Sequence, residues 1–336
     1  MKYNLFAAML GATALTGTAY AETTLTVAHG FSPTHVIAAQ AVDPWMACVK
    51  DAMKGGLKFN YFPSGQIAKT TEMLGALESG VANLTTVPIG YVSDRLPLNG
   101  VSMLPGMGST ASTIIPAYSK AVKQGLLAEE FASNNIVPIW VLVLPAYQIV
   151  STKGPMRTAQ DFQGKVMRSA GGTMNLTIST LGASPAEIPS SDMYVALERG
   201  TVDATLSALA SIKPYNVNEL MNAVSNNGAF GSFSVVFSMD EASWNALDDA
   251  GQTVFKECGS TTEANIASYL DAEVIDLEEE FKTQGIDVYS FTDDELARID
   301  ADLSSVVNDW VTRLAGRGLP AGEAVKEYRA LLGKKP

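Results

Sequence analysis

The chain has 336 residues, 47% of them hydrophobic and 17% charged, with a formal net charge of −12 at pH 7. That length is enough for two domains of ordinary size. A chain this acidic, with no basic run, is a poor ligand for nucleic acid or an anionic membrane.

In chain order, Lys2 precedes an apolar run from Leu5 to about Leu15, followed by Ala19-Tyr20-Ala21. This is the pattern of a signal peptide, residues 1–21, cut before Glu22. The run is much shorter than the roughly 20 apolar residues that span a bilayer, and no lipid-anchor cysteine follows it. An exported chain without Lys2 carries −13. "TLTVAHG" then reads as a strand, and "PTHVIAAQAVDPWMACVKDAM" as a helix that Pro44 kinks or restarts. "LKFNYFP" is a second strand. "TTEMLGALESG" is a short helix with Thr70 or Thr71 as N-cap and Gly80 as its stop. "NLTTVPI" is a third strand. Strands and helices in alternation predict an α/β fold with parallel sheets flanked by helices.

"IVPIWVLVLPAYQIV" is too short, and too broken by Pro138 and Pro145, to cross a membrane. It suits a strand buried on both faces, and no stable membrane insertion is expected. The grammar of "ALESGVANLT", residues 76–85, returns in "ALERGTVDAT", residues 196–205, with Asn83 opposite Asp203. A helix–Gly–strand unit in each of two similar lobes explains the echo. Ser190 and Ser191 stand where they can cap the second of these helices. After the strand in "FSVVFSMDEASWNAL" the chain is mostly helical, and Thr292 to Glu295 forms a capping box. With no low-complexity linker, two lobes require more than one crossing of the chain between them.

Catalytic signatures are absent: there is no G-x-S-x-G, P-loop or H-E-x-x-H. "GMGSTA", Gly106 to Ala111, formally fits a dinucleotide fingerprint but lacks its context and reads as a turn. His29 and His35 are too few, and wrongly spaced, for a metal site. No metal or cofactor is expected. Cys48 and Cys258 form a disulfide in an oxidising compartment or remain two buried thiols. The residue that asks for an explanation is Arg168 in "KVMRSAGG", a guanidinium near the end of a short buried strand, followed by two glycines. Arginine is rarely buried unpaired. Its partner is either an internal carboxylate or an anion from outside, met by the two-point fork of the guanidinium.

Four stretches carry a family resemblance. "FPSGQIAKTTEMLGALESGVANLTTV", "TAQDFQGKVMRSAGG", "LGASPAEIPSSDMYVALERGTVDAT" and "WVTRLAGRGLPAGEAVKEYRALL" are similar, in order, to motifs of the periplasmic solute receptors of TRAP transporters, the DctP-like family. The resemblance implies a two-lobed periplasmic binding protein fold with mixed, mainly parallel sheets, flanking helices and crossing hinge strands. Lobe I is expected to hold residues 22–146 and 233–275, and lobe II residues 147–232 and 276–336. It further implies a cleft that closes on a small organic acid, with Arg168 as the carboxylate-binding arginine, and delivery to the small and large TRAP membrane subunits. A monomer is expected. Gln148 falls where many members carry a second arginine, and Ser207 where sialic-acid receptors carry an asparagine. Phe31, Ser190 and Pro88 fall at other cleft-lining positions, and Tyr91 and Tyr147 are candidate aromatic walls. One arginine beside a neutral Gln148 fits a monocarboxylate better than a dicarboxylate, and a sulfonate also matches the fork. The competing readings are the receptor of an ABC importer and an exported α/β enzyme.

Overall fold

A computed structural model of the protein describes residues 23–334. The predicted signal peptide lies outside the described residues. Strand β1 (Thr23–Ala28) leads through a π-helical turn at Ala38–Val42 into α1 (Asp43–Ala52), where Pro44 sits in the first helical turn and needs no N–H partner. Next come β2 (Leu57–Phe62), α2 (Met73–Glu78), β3 (Leu84–Pro88), α3 (Ala111–Gln124), α4 (Ala128–Ser133) and β4 (Ile136–Val143). The chain then enters β5 (Gln148–Ser151), α5 (Ala159–Phe162), β6 (Val166–Ser169), α6 (Thr173–Thr180), β7 (Ser184–Glu187), α7 (Met193–Glu198), β8 (Ala204–Ser207) and β9 (Ala223–Ser225). It ends with β10 (Ser234–Asp240), α8 (Glu241–Ala246), α9 (Asp249–Thr283), β11 (Asp287–Tyr289), α10 (Asp293–Ala315) and α11 (Ala321–Leu331).

Two sheets result, in the orders β2-β1-β3-β10-β4 and β11-β9-β5-β8-β6-β7. Five strand pairs are parallel and four antiparallel, and β10 and β5 each run antiparallel to both their neighbours. This is the expected two-lobed α/β architecture with mixed sheets. The antiparallel strands are the ones that change sheet: β4 passes into β5, and β9 passes back into β10.

The apolar run expected to be one strand is therefore two, in different sheets. Pro145 has no N–H to donate to a ladder. Around it, Leu144 N donates to Phe233 O at 3.0 Å and Tyr147 N to Gly231 O at 2.8 Å, so the two crossing segments run side by side as a ribbon. The 35-residue α9, about 50 Å long, is a third crossing. It packs on α1, α3 and β4 of the first half and on β11 of the second. Lastly, α10 lies on α6 while α11 returns to α3.

The sequence echo has a structural counterpart. Asn83 Oδ1 accepts from Thr26 N at 2.8 Å, and Asp203 Oδ2 accepts from Val166 N at 3.0 Å. Each side chain ties the start of its strand to the parallel neighbour. Gly80 and Gly200 end the two helices at positive φ of 70° and 66°. Cys48 on α1 and Cys258 on α9 are joined as a disulfide, Cα to Cα 5.8 Å. Near it, Trp45 packs edge-on against Phe237 and Phe255, and Trp140 stacks on Phe237 at 4.8 Å. Glu263 of α9 is buried but satisfied, accepting from Val141 N, Lys123 Nζ and Ser119 Oγ, each at 2.8 Å. The Gly106–Ala111 turn opens α3, whose first N–H groups are held by the Asp271 carboxylate at 2.6 and 3.0 Å. A carboxylate already fills the place a phosphate would need.

Candidate functional site

Arg168 lies between β8 and β7, in register with Thr205 and Ala186, and is 1% exposed. The strand ends one residue later, because Gly171 and Gly172 take positive φ of 88° and 59° and turn the chain into α6. The guanidinium is held by neutral groups. Nε donates to Ile188 O at 2.7 Å, and Nη2 donates to Ser190 Oγ at 2.9 Å and reaches Tyr91 Oη at 3.5 Å. Tyr91 Oη in turn accepts from Ser190 N at 3.0 Å. Ser190 thus serves the arginine instead of capping the helix that follows. Among the described residues no carboxylate pairs with Arg168. A buried cation without a counter-charge carries a desolvation cost of several kcal/mol, and an incoming anion offsets it.

Tyr91, Tyr147 and Tyr215 lie near this charge, and two runs of aromatic rings lead away from them. Tyr91, in the turn after β3, packs on Phe233 at 5.3 Å, and Phe233 stacks with Tyr147 at 6.4 Å and 20°. A second run joins Tyr215 to His35 at 5.3 Å, His35 to Phe31 at 4.8 Å, Phe31 to His29 at 6.2 Å and His29 to Tyr61 at 5.3 Å. Burial lowers the pKa of His29 to about 4 and that of His35 to about 3, so both rings are neutral at pH 7. Burial also pushes the phenols of Tyr147 and Tyr215 up, with the positive charge of Arg168 opposing the shift. Asp43 stands against Tyr61 at the far end of the second run, and Arg168 is the cation beside Tyr91, Tyr147 and Tyr215. With Phe31, His35, Tyr147 and Arg168 almost wholly shielded, the two halves are closed on one another.

A family model, the bacterial extracellular solute-binding protein family 7, DctP, matches residues 27–313. The chain belongs to that family. It is a solute-binding receptor, not an enzyme. The sialic acid-binding periplasmic protein SiaP of Vibrio cholerae is 23% identical over 242 residues, covering 71% of this chain and 74% of SiaP. A marine metagenome TRAP solute-binding protein specific for aromatic acids, solved with metahydroxyphenylacetate, superposes with a TM-score of 0.87 at 21% identity over 93% of this chain and 99% of that one. A TRAP solute-binding protein of Rhodoferax ferrireducens, solved with copurified benzoate, superposes at 0.85 and 21% identity over 93% and 98%.

Within this DctP-family chain the structure joins Arg168, Ser190 and Tyr91 by hydrogen bonds. Tyr147 connects to them through Phe233, and Phe31 lies in the second aromatic run. Gln148 and Ser207 face each other across β5 and β8, and their polar atoms are engaged elsewhere. Gln148 Nε2 donates to Ala146 O and Gly228 O, and its Oε1 accepts from Ser225 Oγ and Gly228 N. Those four bonds brace the crossing ribbon. Ser207 Oγ donates to Ala208 O at 3.2 Å, and Pro88 ends β3 opposite Val235. Phe233, Tyr215 and His35 were not singled out from the sequence as site residues. "FSVVF" reads as a strand and His35 as a helix start; its Nδ1 indeed accepts from Ile37 N.

Among the described residues no group of three metal-ligating side chains gathers, and no helix is long and apolar enough to cross a membrane.

Proposed function

We propose that this receptor captures an aromatic monocarboxylate in the cleft between its lobes, with the carboxylate on Arg168 and the ring among Tyr91, Tyr147, Phe31, His35, Tyr215 and Phe233. The carrying observation is the buried guanidinium of Arg168, held only by neutral groups and with aromatic rings on both sides of the cleft. One positive charge balances one carboxylate, and a second carboxylate finds no cation there. The two structural relatives solved with metahydroxyphenylacetate and benzoate support the same class. In this reading the chain is cut before Glu22, works in the periplasm as a monomer, and hands its cargo to the TRAP membrane subunits. Lobe I comprises 22–146 and 233–275 and lobe II 147–232 and 276–336, with α11 reaching back onto lobe I.

Calorimetry with benzoate, 3-hydroxybenzoate and succinate tests it. The aromatic acids are expected to bind and succinate to bind weakly. Arg168→Ala is expected to cost about 3–5 kcal/mol of binding. Arg168→Lys is not expected to restore it, because an ammonium lacks the planar fork. Unchanged benzoate affinity in Arg168→Ala would overturn the assignment.

A further inference from the structure

The polar atoms near Arg168 are unevenly satisfied. Buried phenols normally find an acceptor: Tyr118 Oη donates to Asn99 Oδ1 at 2.8 Å, and Tyr289 Oη to Met156 O at 3.1 Å. The hydroxyls of Tyr147 and Tyr215 have no partner among the described residues, although Tyr147 is buried and Tyr215 half-buried. Tyr328 Oη also lacks a partner, but it is sealed in the core, and the Tyr147 and Tyr215 hydroxyls are not. His35 shares their condition. The residue is 1% exposed, and its Nδ1 accepts from Ile37 N at 3.2 Å. Burial keeps the ring neutral, so its one proton sits on Nε2. Among the described residues that N–H has no acceptor, and it too is not sealed. Arg168 engages only Nε and Nη2, which leaves Nη1 without a partner among the described residues. Tyr215 and His35 pack ring against ring at 5.3 Å and 55°. They come from different sheets, His35 after β1 and Tyr215 between β8 and β9. The phenol of Tyr215 also feels the charge of Arg168, which places this pair a short way from the guanidinium. Buried polar groups are normally satisfied, so unsatisfied ones on either side of a cleft indicate an occupant with a second polar end.

We propose that His35 and Tyr215 are specificity-determining residues that read a hydroxyl group on the ring of the cargo, so that the receptor selects a hydroxylated aromatic acid. With the carboxylate on Arg168, the hydroxyl oxygen accepts from His35 Nε2 and its proton is donated to Tyr215 Oη. Because the two partners come from different sheets, the hydroxyl joins the halves, and both bonds are made only in the closed form. An unsubstituted ring leaves both groups unpaired in a cleft shut off from water, and that loss is the source of the discrimination. The inference rests on the cleft reading above and adds the second polar end to it.

The test is calorimetry of the mature receptor with benzoate, 3-hydroxybenzoate and 4-hydroxybenzoate, read as the advantage of the better hydroxy acid over benzoate. In the wild type that advantage is expected to be about tenfold or more. The corresponding methylbenzoate, which matches the bulk of the hydroxyl without its hydrogen bonds, is expected to bind more weakly than the hydroxy acid. Tyr215→Phe keeps the ring and removes the acceptor. His35→Asn offers an amide oxygen to Ile37 N in place of Nδ1 and has no atom that reaches as far as Nε2. Each substitution is expected to lower the advantage by about threefold or more. The advantage is a ratio within one variant, so general damage to the cleft, which weakens both acids, does not imitate the loss. The inference is overturned by a smaller than threefold advantage in the wild type, by a methyl compound that binds as tightly as its hydroxyl counterpart, or by an advantage that either substitution lowers less than threefold. If benzoate binds and the hydroxyl adds nothing, the cleft reading stands and this inference alone falls. If none of the acids binds, both fall.

Discussion

Adding one methyl group at Gly90 is expected to hold the receptor open. A Cβ there would lie 2.7 Å from Cε2 of Phe233, 2.9 Å from the carbonyl oxygen of Ala170 and 3.1 Å from Cε of Met103. Phe233 and Met103 are side chains and have room to adjust. Ala170 O is backbone at the end of β6 in the other lobe, and it is relieved only if the lobes separate. Gly90 is not among the positive-φ glycines, so alanine meets no backbone penalty of its own. Overpacking of this kind costs about 1–3 kcal/mol. Set against closure alone, that weakens cargo binding by about 5- to 150-fold. Calorimetry with benzoate gives the affinity, and small-angle scattering with and without cargo gives the compaction. Gly90→Ala is expected to melt near wild type without cargo, bind weakly, and compact only at higher benzoate. Gly75→Ala, whose added Cβ meets nothing within 4 Å, is the silent control. A dissociation constant for Gly90→Ala within twofold of wild type would refute the closed contact.

Other outcomes follow from the same geometry. Tyr91→Phe removes the oxygen that positions Ser190 and faces Arg168, and benzoate affinity should fall about fivefold in calorimetry, the worth of one hydrogen bond of about 1 kcal/mol. Cys48→Ala with Cys258→Ala opens a link spanning 210 residues and should cost about 2–5 kcal/mol in urea unfolding, with cargo affinity unchanged. His29 and His35 have folded pKa values depressed to about 4 and about 3, so between pH 6.5 and 4 the unfolded chain binds more protons than the folded one. Stability is therefore full above about pH 6.5 and falls on acidification, by about 1.4 kcal/mol per pH unit from each ring once below that value. Unfolding free energies from urea titrations at pH 7.5 and 5 should differ by roughly 4 kcal/mol in total, and a flat profile would contradict the buried neutral state.

Much of the fold was legible because local chemistry dictates it. The alternation of strands and helices, the glycine stops at Gly80 and Gly200, and the Thr292–Glu295 box are short-range signals that survive in the structure. The echo of Asn83 in Asp203 was legible as spelling, and its shared task of tethering a parallel strand needed coordinates. Arg168 stood out because a cation in a buried strand conflicts with its surroundings. The aromatic shell did not stand out. Phe233 joins from the crossing ribbon by packing on Tyr91, and Tyr215 meets His35 of the other half, and neither leaves a periodic mark in sequence. For the same reason Pro145 read as an interruption of one strand, when it marks the passage between two sheets.

The exchange of strands between the sheets also governs how the chain comes together. β10 is the seam of the first sheet, filling the slot between β3 and β4, yet it is made only after all of β5 to β9. Until Ser234–Asp240 emerges, two apolar strand edges stay unzipped, a condition that invites mispairing with other chains. Truncation anywhere before residue 240 should therefore yield an insoluble fragment rather than a folded half.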